Sequence, residues 1–233
     1  SHTLGRNGVA VVTLEHTPEL AQAGQHEAGL FHTAILFESQ AALAAAVFSV
    51  ATKSPGTFTG SSDHLVSQAF YFTDPEGNGI ELYWDRQRTA WSWARGSIEM
   101  DTLYLDPNAF LQEHLTEAAV ANPRVGETTV GHVHLSIGDI RQAREFYVKH
   151  LGFDETLEWN KAALFVSAGG YHHHMGLNIW NSRGAGRRQM TLGLGQVDIV
   201  LPHADALGSA KERLTDFGHE VRDDGQTLFV DDP

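Results

Sequence analysis

Three residues of metal-binding type stand at matching points of an internal repeat in this chain. His32 lies in the apolar, β-branched run 29–36, which opens at Gly29, and His132 in the similar run 131–137, which opens at Gly131. A third copy, 195–201, carries Gln196 in the same column. Glu81 sits in a second kind of run, 79–84, whose counterpart 176–180 carries Asn178. Glu81 follows His32 by 49 residues and Asn178 follows His132 by 46, so the two copies keep nearly the same register. A carboxylate inside an apolar strand is costly unless it is paired or metal-bound. Two imidazoles and one carboxylate on one face, with positions left open, suit ferrous iron in oxygen chemistry and also accommodate Mn²⁺ or Zn²⁺. His134 lies two positions beyond His132 on the same strand face and is the alternative ligand; the repeat alignment favours His132.

For these residues to meet, each must sit on a strand in the centre of one sheet. The runs 29–36, 131–137 and 195–201 read as first strands, each leading into an amphipathic helix, over about 39–52, 140–151 and 205–217. Gly152 and Gly218 stand where left-handed helix C-caps are expected. Short strands follow: 65–73 and 80–84 in one copy, 155–159, 163–167 and 174–180 in the next, and 227–230 in the last. Asp74-Pro75-Glu76-Gly77-Asn78-Gly79 reads as a turn, because Pro fixes φ and the Gly and Asn residues permit positive φ. Residues 8–16 read as a final strand of an earlier copy.

The expected class is α+β, with tandem βαβββ units forming curved mixed sheets and helices outside. The expected division is an N-terminal region 1–85 (first unit clipped, second unit 29–85), a linker 86–129 and a C-terminal region 130–233. The latter holds a third unit 130–182 and a clipped fourth unit 190–233. If units two and three pair edge to edge, His32, His132 and Glu81 converge.

Composition narrows the function classes. The 233 residues carry 16 Lys and Arg against 29 Asp and Glu, a net charge of −13, with no basic stripe. Phosphate contacts need clustered cations, so no nucleic-acid partner is expected. An anionic membrane surface fits equally badly, and no apolar run reaches the roughly 18 residues of a membrane span. There is no Cys, which removes thiolate chemistry and disulfides and makes a cytoplasmic setting the expectation. Fourteen His point toward metal binding and proton transfer.

The strings around the three ligand candidates resemble the vicinal oxygen chelate superfamily, which includes glyoxalase I, bleomycin- and fosfomycin-resistance proteins and extradiol dioxygenases. Gly29-Leu30-Phe31-His32-Thr33-Ala34-Ile35-Leu36 and Gly131-His132-Val133-His134-Leu135 resemble its metal-binding first strands. The run 74–83 resembles the turn and strand that deliver its metal-ligating glutamate. Residues 167–180, with His172-His173-His174, and residues 62–67, with Asp63-His64, are most similar to catechol-2,3-dioxygenase-like members.

The resemblance implies a non-haem Fe²⁺ enzyme that opens a catecholic ring beside its hydroxyls with O₂. It implies ligation by His32, Glu81 and His132, an acid–base His173, and an active-site Tyr71 ten residues before Glu81. His64 binds the substrate hydroxyl or takes a proton on this reading; the bland alternative is a turn cap. Strand alternation from Asn178 would turn His172 and His174 inward instead of His173. A competing reading is a glyoxalase-like lyase or isomerase on Zn²⁺, Ni²⁺ or Mn²⁺, which usually presents a fourth ligand where Asn178 stands. Another is a metal-free module that binds an antibiotic or aromatic compound. The partners are a small aromatic diol and O₂, and clipped sheet edges add a second copy of the chain, in a homodimer, to the candidates.

Overall fold

The computed structural model describes residues 1–124 and 126–233. In chain order the first segment holds β1 (His2–Arg6), β2 (Val9–Leu14), β3 (Gly29–Phe37), α1 (Gln40–Lys53), β4 (Phe58–Asp63), β5 (Ser67–Thr73) and β6 (Gly79–Asp85). A middle stretch holds β7 (Trp93–Ala94), β8 (Ser97–Ile98), β9 (Leu103–Tyr104), α2 (Pro107–His114) and α3 (Glu117–Ala121). Then come β10 (Thr128–Ser136), α4 (Ile140–Ala143), β11 (Asp154–Trp159), β12 (Ala163–Ser167) and β13 (Met175–Asn178). The chain ends with α5 (Ala204–Asp216), β14 (Arg222–Asp223) and β15 (Leu228–Phe229). This is a mixed α+β fold.

One nine-stranded sheet runs in the order β11-β12-β13-β10-β3-β6-β5-β4-β9. Its middle is symmetric. The two first strands, β3 and β10, pair antiparallel, and each is flanked by the last strand of its own copy, β6 and β13, in parallel. The expected pairing of the two middle units is what the chain adopts.

The strands alternate faces with period two. One face of β3, β5 and β6 contributes Phe37, Phe70, Phe72 and Leu82, which pack on Leu43, Ala44 and Val47 of α1. The same face of β10, β12 and β13 contributes Val133, Leu135, Leu164, Val166 and Leu177, packed on Ile140, Ala143, Phe146 and Leu214. Each fully buried side chain of this size contributes about 1.5–3 kcal/mol. Ser39 starts α1 by accepting a hydrogen bond from the Ala42 amide at 3.2 Å. The opposite face of the same strands carries the polar residues.

A bulge decides which way His132 points. Val130 pairs with Ile35 and His132 with Ala34, so Gly131 is the extra residue of β10. Val130 thereby joins the helix-side core while His132 faces the other way. Gly131 has a second reason to be Gly. A Cβ there would lie 1.7 Å from Tyr83 Oη and 2.7 Å from its Cζ, and Tyr83 is fully buried. Gly131→Ala is therefore expected to cost about 3 kcal/mol or more in denaturant unfolding. The control Gly186→Ala, with nothing within 4 Å of the new Cβ, stays within about 1 kcal/mol of it. Equal costs for the two would contradict this packing.

Several expected elements differ. The strand expected at 65–73 is shorter, and β4, paired with both β5 and β9, precedes it unforeseen, because Gly60 and three hydroxyl residues hide a strand in a polar sequence. The middle stretch also contains two helices, α2 and α3, capped by Asp106 and Thr116. The helix expected at 140–151 is α-helical only over α4, and Arg144–His150 continues as a π-turn. Residues 195–201 form no strand, and among the described residues they pair with no strand of any sheet. Residues within 8–16 do form β2, but it pairs with β1 as a separate hairpin.

Candidate metal centre

Register builds the centre. Across four adjacent strands Tyr71 pairs with Glu81, Glu81 with Ala34, and Ala34 with His132, in one continuous row. Ala34 is small, so the side chains of Glu81 and His132 meet over it. His32, two residues before Ala34 on β3, shares that face and reaches in from the next row. Glu81 Oε2 lies 3.0 Å from His32 Nε2 and 3.2 Å from His132 Nε2, and the two Nε2 atoms are 3.4 Å apart. All three residues are buried, Glu81 to 3% exposure.

The donor set fits a divalent cation. Donors about 2.1 Å from one ion lie about 3.0 Å apart at right angles and somewhat farther in a tetrahedral arrangement. The three observed separations fall in that range. Burial alone would raise the Glu81 carboxyl, but the charge and hydrogen bonds of His132 and His32 overcome this and hold it well below the usual carboxylate range. Burial, the largest cause, lowers His132 below the ordinary imidazole value against the opposing pull of Glu81. His132 Nδ1 is buried without a hydrogen-bond partner among the described residues. Two imidazole nitrogens and a buried carboxylate oxygen converging on one point are a donor set that a divalent ion satisfies.

The other expected residues surround this point. Tyr71 lies with its ring 5.8 Å from that of His32 and donates its hydroxyl to His64 Nε2 at 2.7 Å. His64 Nδ1 donates to the Asp101 carbonyl at 2.7 Å, which fixes Nε2 as the acceptor. Burial, with Glu81 nearby, raises the Tyr71 phenol well above its ordinary value, so it stays protonated.

The His172-His173-His174 triplet precedes β13 instead of belonging to it, so strand alternation does not apply to it. His173 is the member stacked near the centre, its ring 4.1 Å from that of His132 and 4.9 Å from Phe165. His172 is fully buried and bonds to Asp85, while His174 bonds to Ser167. Asn178 stands outside the three-donor cluster; its Oδ1 accepts from the Trp180 amide at 3.1 Å. His134 is buried beside His32, ring to ring at 4.9 Å, with Nε2 unpartnered, and its ring occupies the space a Cβ on residue 176 would need.

Asp85, Tyr83 and Tyr171 are not among the expected site residues, and His172 enters the expectation only as an inward-facing alternative to His173. Asp85 follows Glu81 by four positions on β6, hence on the same face, a periodicity that signals it; its partner on residue 172 leaves no such signal.

The buried imidazoles make stability pH-dependent. Burial is the leading cause that lowers His132, His134 and His173, the last two well below the ordinary value. A folded-state value below the unfolded one means that the unfolded chain binds more protons. Their contribution is complete above the unfolded value of about 6.5 and is lost as pH falls below it. Each such group removes roughly 1 kcal/mol per pH unit over that window. The urea midpoint of the metal-free protein is thus expected to be flat above pH 7 and to drop steeply between pH 6.5 and 5.5. A midpoint unchanged across that interval would contradict the burial of these rings as neutral groups.

Residues 129–231 match the model of the Glyoxalase/Bleomycin resistance protein/Dioxygenase superfamily. The catechol-2,3-dioxygenase of Bacillus subtilis (strain 168) is 39% identical over 208 residues, covering 88% of this chain and 72% of that protein. A solved Bacillus subtilis structure, provisionally named a dioxygenase, covers 91% of this chain and 66% of its own at 15% identity, with a TM-score of 0.49. The Mn(II)-bound glyoxalase from Novosphingobium aromaticivorans covers 86% of this chain and 57% of its own at 16% identity, with a TM-score of 0.32. No helix among the described residues is long and apolar enough to cross a membrane. Sequence likeness at 39% across most of both chains makes this protein a member of the glyoxalase/bleomycin resistance/dioxygenase superfamily, of the catechol dioxygenase-like kind.

Proposed function

We propose that this protein is an extradiol dioxygenase that holds Fe²⁺ through His32, Glu81 and His132 and opens a catechol ring beside its hydroxyls. The observation that carries the reading is the three-donor cluster with Tyr71–His64 on one side and His173 on the other. Bound Fe²⁺ would lower the pKa of a chelated catechol and pass electron density from that catechol, the reductant of the reaction, to O₂.

The chain's own residues do the remaining work. Tyr71 and His64 form a proton path away from the buried centre. As a substrate hydroxyl gives its proton to Tyr71 Oη, the tyrosine's own proton passes to His64 Nε2. The phenol therefore never has to exist as a buried anion, and His64 is only partly buried. His173, a neutral imidazole stacked over His132, is placed to give or take a proton on the opposite side. Phe31 and Trp180, with rings 5.2 Å apart and both close to His134, offer aromatic faces for the substrate ring. A protein without Cys that works on a reduced metal suits the cytoplasm.

The test is aerobic mixing of Fe²⁺-loaded protein with catechol near neutral pH. The reading expects yellow 2-hydroxymuconic semialdehyde, C₆H₆O₄ from C₆H₆O₂ and O₂, formed with one O₂ consumed per catechol. Catechol left intact, or consumed without matching O₂ uptake, would overturn it. A glyoxalase-like isomerase would need no O₂, and a metal-free binding module would bind an aromatic ring equally well without His32, His132 and Glu81.

A further inference from the structure

From His173 runs an unbroken chain of hydrogen bonds that the proposed reaction does not yet use. Tyr83 Oη donates to Tyr171 Oη at 2.8 Å, and Tyr171 donates to Asp85 Oδ2 at 2.7 Å. Asp85 Oδ1 lies 2.9 Å from His172 Nε2, and His172 Nδ1 lies 2.7 Å from His173 Nδ1. His172 is fully buried and His173 nearly so. These members come from two segments: the end of β6, and residues 171–173 before β13, which pack against Trp91 of the middle stretch, whose ring is 5.1 Å from that of His172.

The direction of each bond follows from what each atom can do. The Asp85 carboxylate oxygens accept, one from Tyr171 and the other from His172, so Nε2 of His172 carries the hydrogen. In its single-proton tautomer His172 then has a bare Nδ1, which can only accept. Nδ1 of His173 must supply the hydrogen for the 2.7 Å contact. That leaves Nε2 of His173 with its lone pair and no protein partner.

From this geometry we infer that Asp85 and His172 are positioning residues which lock His173 in its Nδ1–H tautomer, so that Nε2 is the atom that accepts a proton during catalysis. Tyr171 and Tyr83 hold the Asp85 carboxylate in line by filling its second oxygen. The catalytic consequence rests on the dioxygenase reading; the tautomer does not. The logic is that of an aspartate orienting a catalytic histidine, extended by one imidazole. Without the carboxylate, His172 can turn its protonated nitrogen toward His173, which then has to accept at Nδ1 and carry its hydrogen at Nε2.

The test joins two readouts. Long-range ¹H–¹⁵N spectra of ¹⁵N-histidine-labelled protein, loaded with diamagnetic Zn²⁺ and assigned with a His173→Asn variant, report which ring nitrogen of His173 is protonated. The inference expects Nδ1–H in the unmodified protein and Nε2–H in Asp85→Asn. In Fe²⁺-loaded protein it expects Asp85→Asn to lower kcat on the order of 100-fold, with KM for catechol within about twofold and metal content unchanged. Finding Nε2–H on His173 in the unmodified protein overturns the inference, whether or not the variant folds. So does a variant with normal kcat, or one whose only defect is lost metal or lower thermal stability, as a purely structural role would give. If the unmodified protein shows Nδ1–H but cleaves no catechol, the dioxygenase reading fails while the tautomer assignment stands.

Discussion

Glu81→Gln is expected to abolish ring cleavage and to weaken Fe²⁺ binding by at least about 100-fold, or roughly 2.7 kcal/mol. The change is isosteric and leaves the row from Tyr71 to His132 in place, so the variant is expected to fold. It removes the one negative charge in the centre and leaves two neutral imidazoles and an amide, a donor set that competes poorly for a hard ferrous ion. Binding is read by anaerobic titration with Fe²⁺ and activity by semialdehyde formation. A variant that keeps stoichiometric iron would show that the charge of Glu81 does not hold the metal.

His173→Asn is expected to act on the reaction and not on the metal. His173 makes no hydrogen bond to the three donors; it stacks on His132 and bonds to His172. Removing an acid–base group typically costs about 10²–10⁴-fold in rate. The variant should therefore bind one Fe²⁺ per chain with near-normal affinity and lower kcat by at least about 100-fold, while KM changes little. Loss of iron in proportion to activity would move His173 from chemistry to support of His132.

Much of this centre is legible from the chain alone because a repeat carries register. Once residues 29–36 and 131–137 are aligned, His32 and His132 fall in one column, and period-two alternation puts Glu81 on their face. What escapes is whatever depends on pairing between distant segments or on local irregularity. Asp85 and His172 are 87 residues apart, and nothing in either neighbourhood announces the other. The triplet 172–174 could not be oriented by alternation because it lies outside a strand, so His173 and His172 reach the centre from a bend. β4 is hidden by its polar composition, although it pairs with β5 on one side and with β9 on the other. Residues 195–201 mislead in the opposite direction: an apolar, β-branched run satisfies the pattern of a strand, but propensity makes no strand without a neighbour to pair with.

The central claim is that one ion is held jointly by His32, Glu81 and His132. Crystals grown and loaded with Fe²⁺ under anaerobic conditions, with diffraction recorded at the iron absorption edge, test it most directly. The account predicts a single strong anomalous peak per chain, within about 2.3 Å of His32 Nε2, His132 Nε2 and a Glu81 carboxylate oxygen. A peak bound by other side chains, or none at that point in fully loaded crystals, would contradict it.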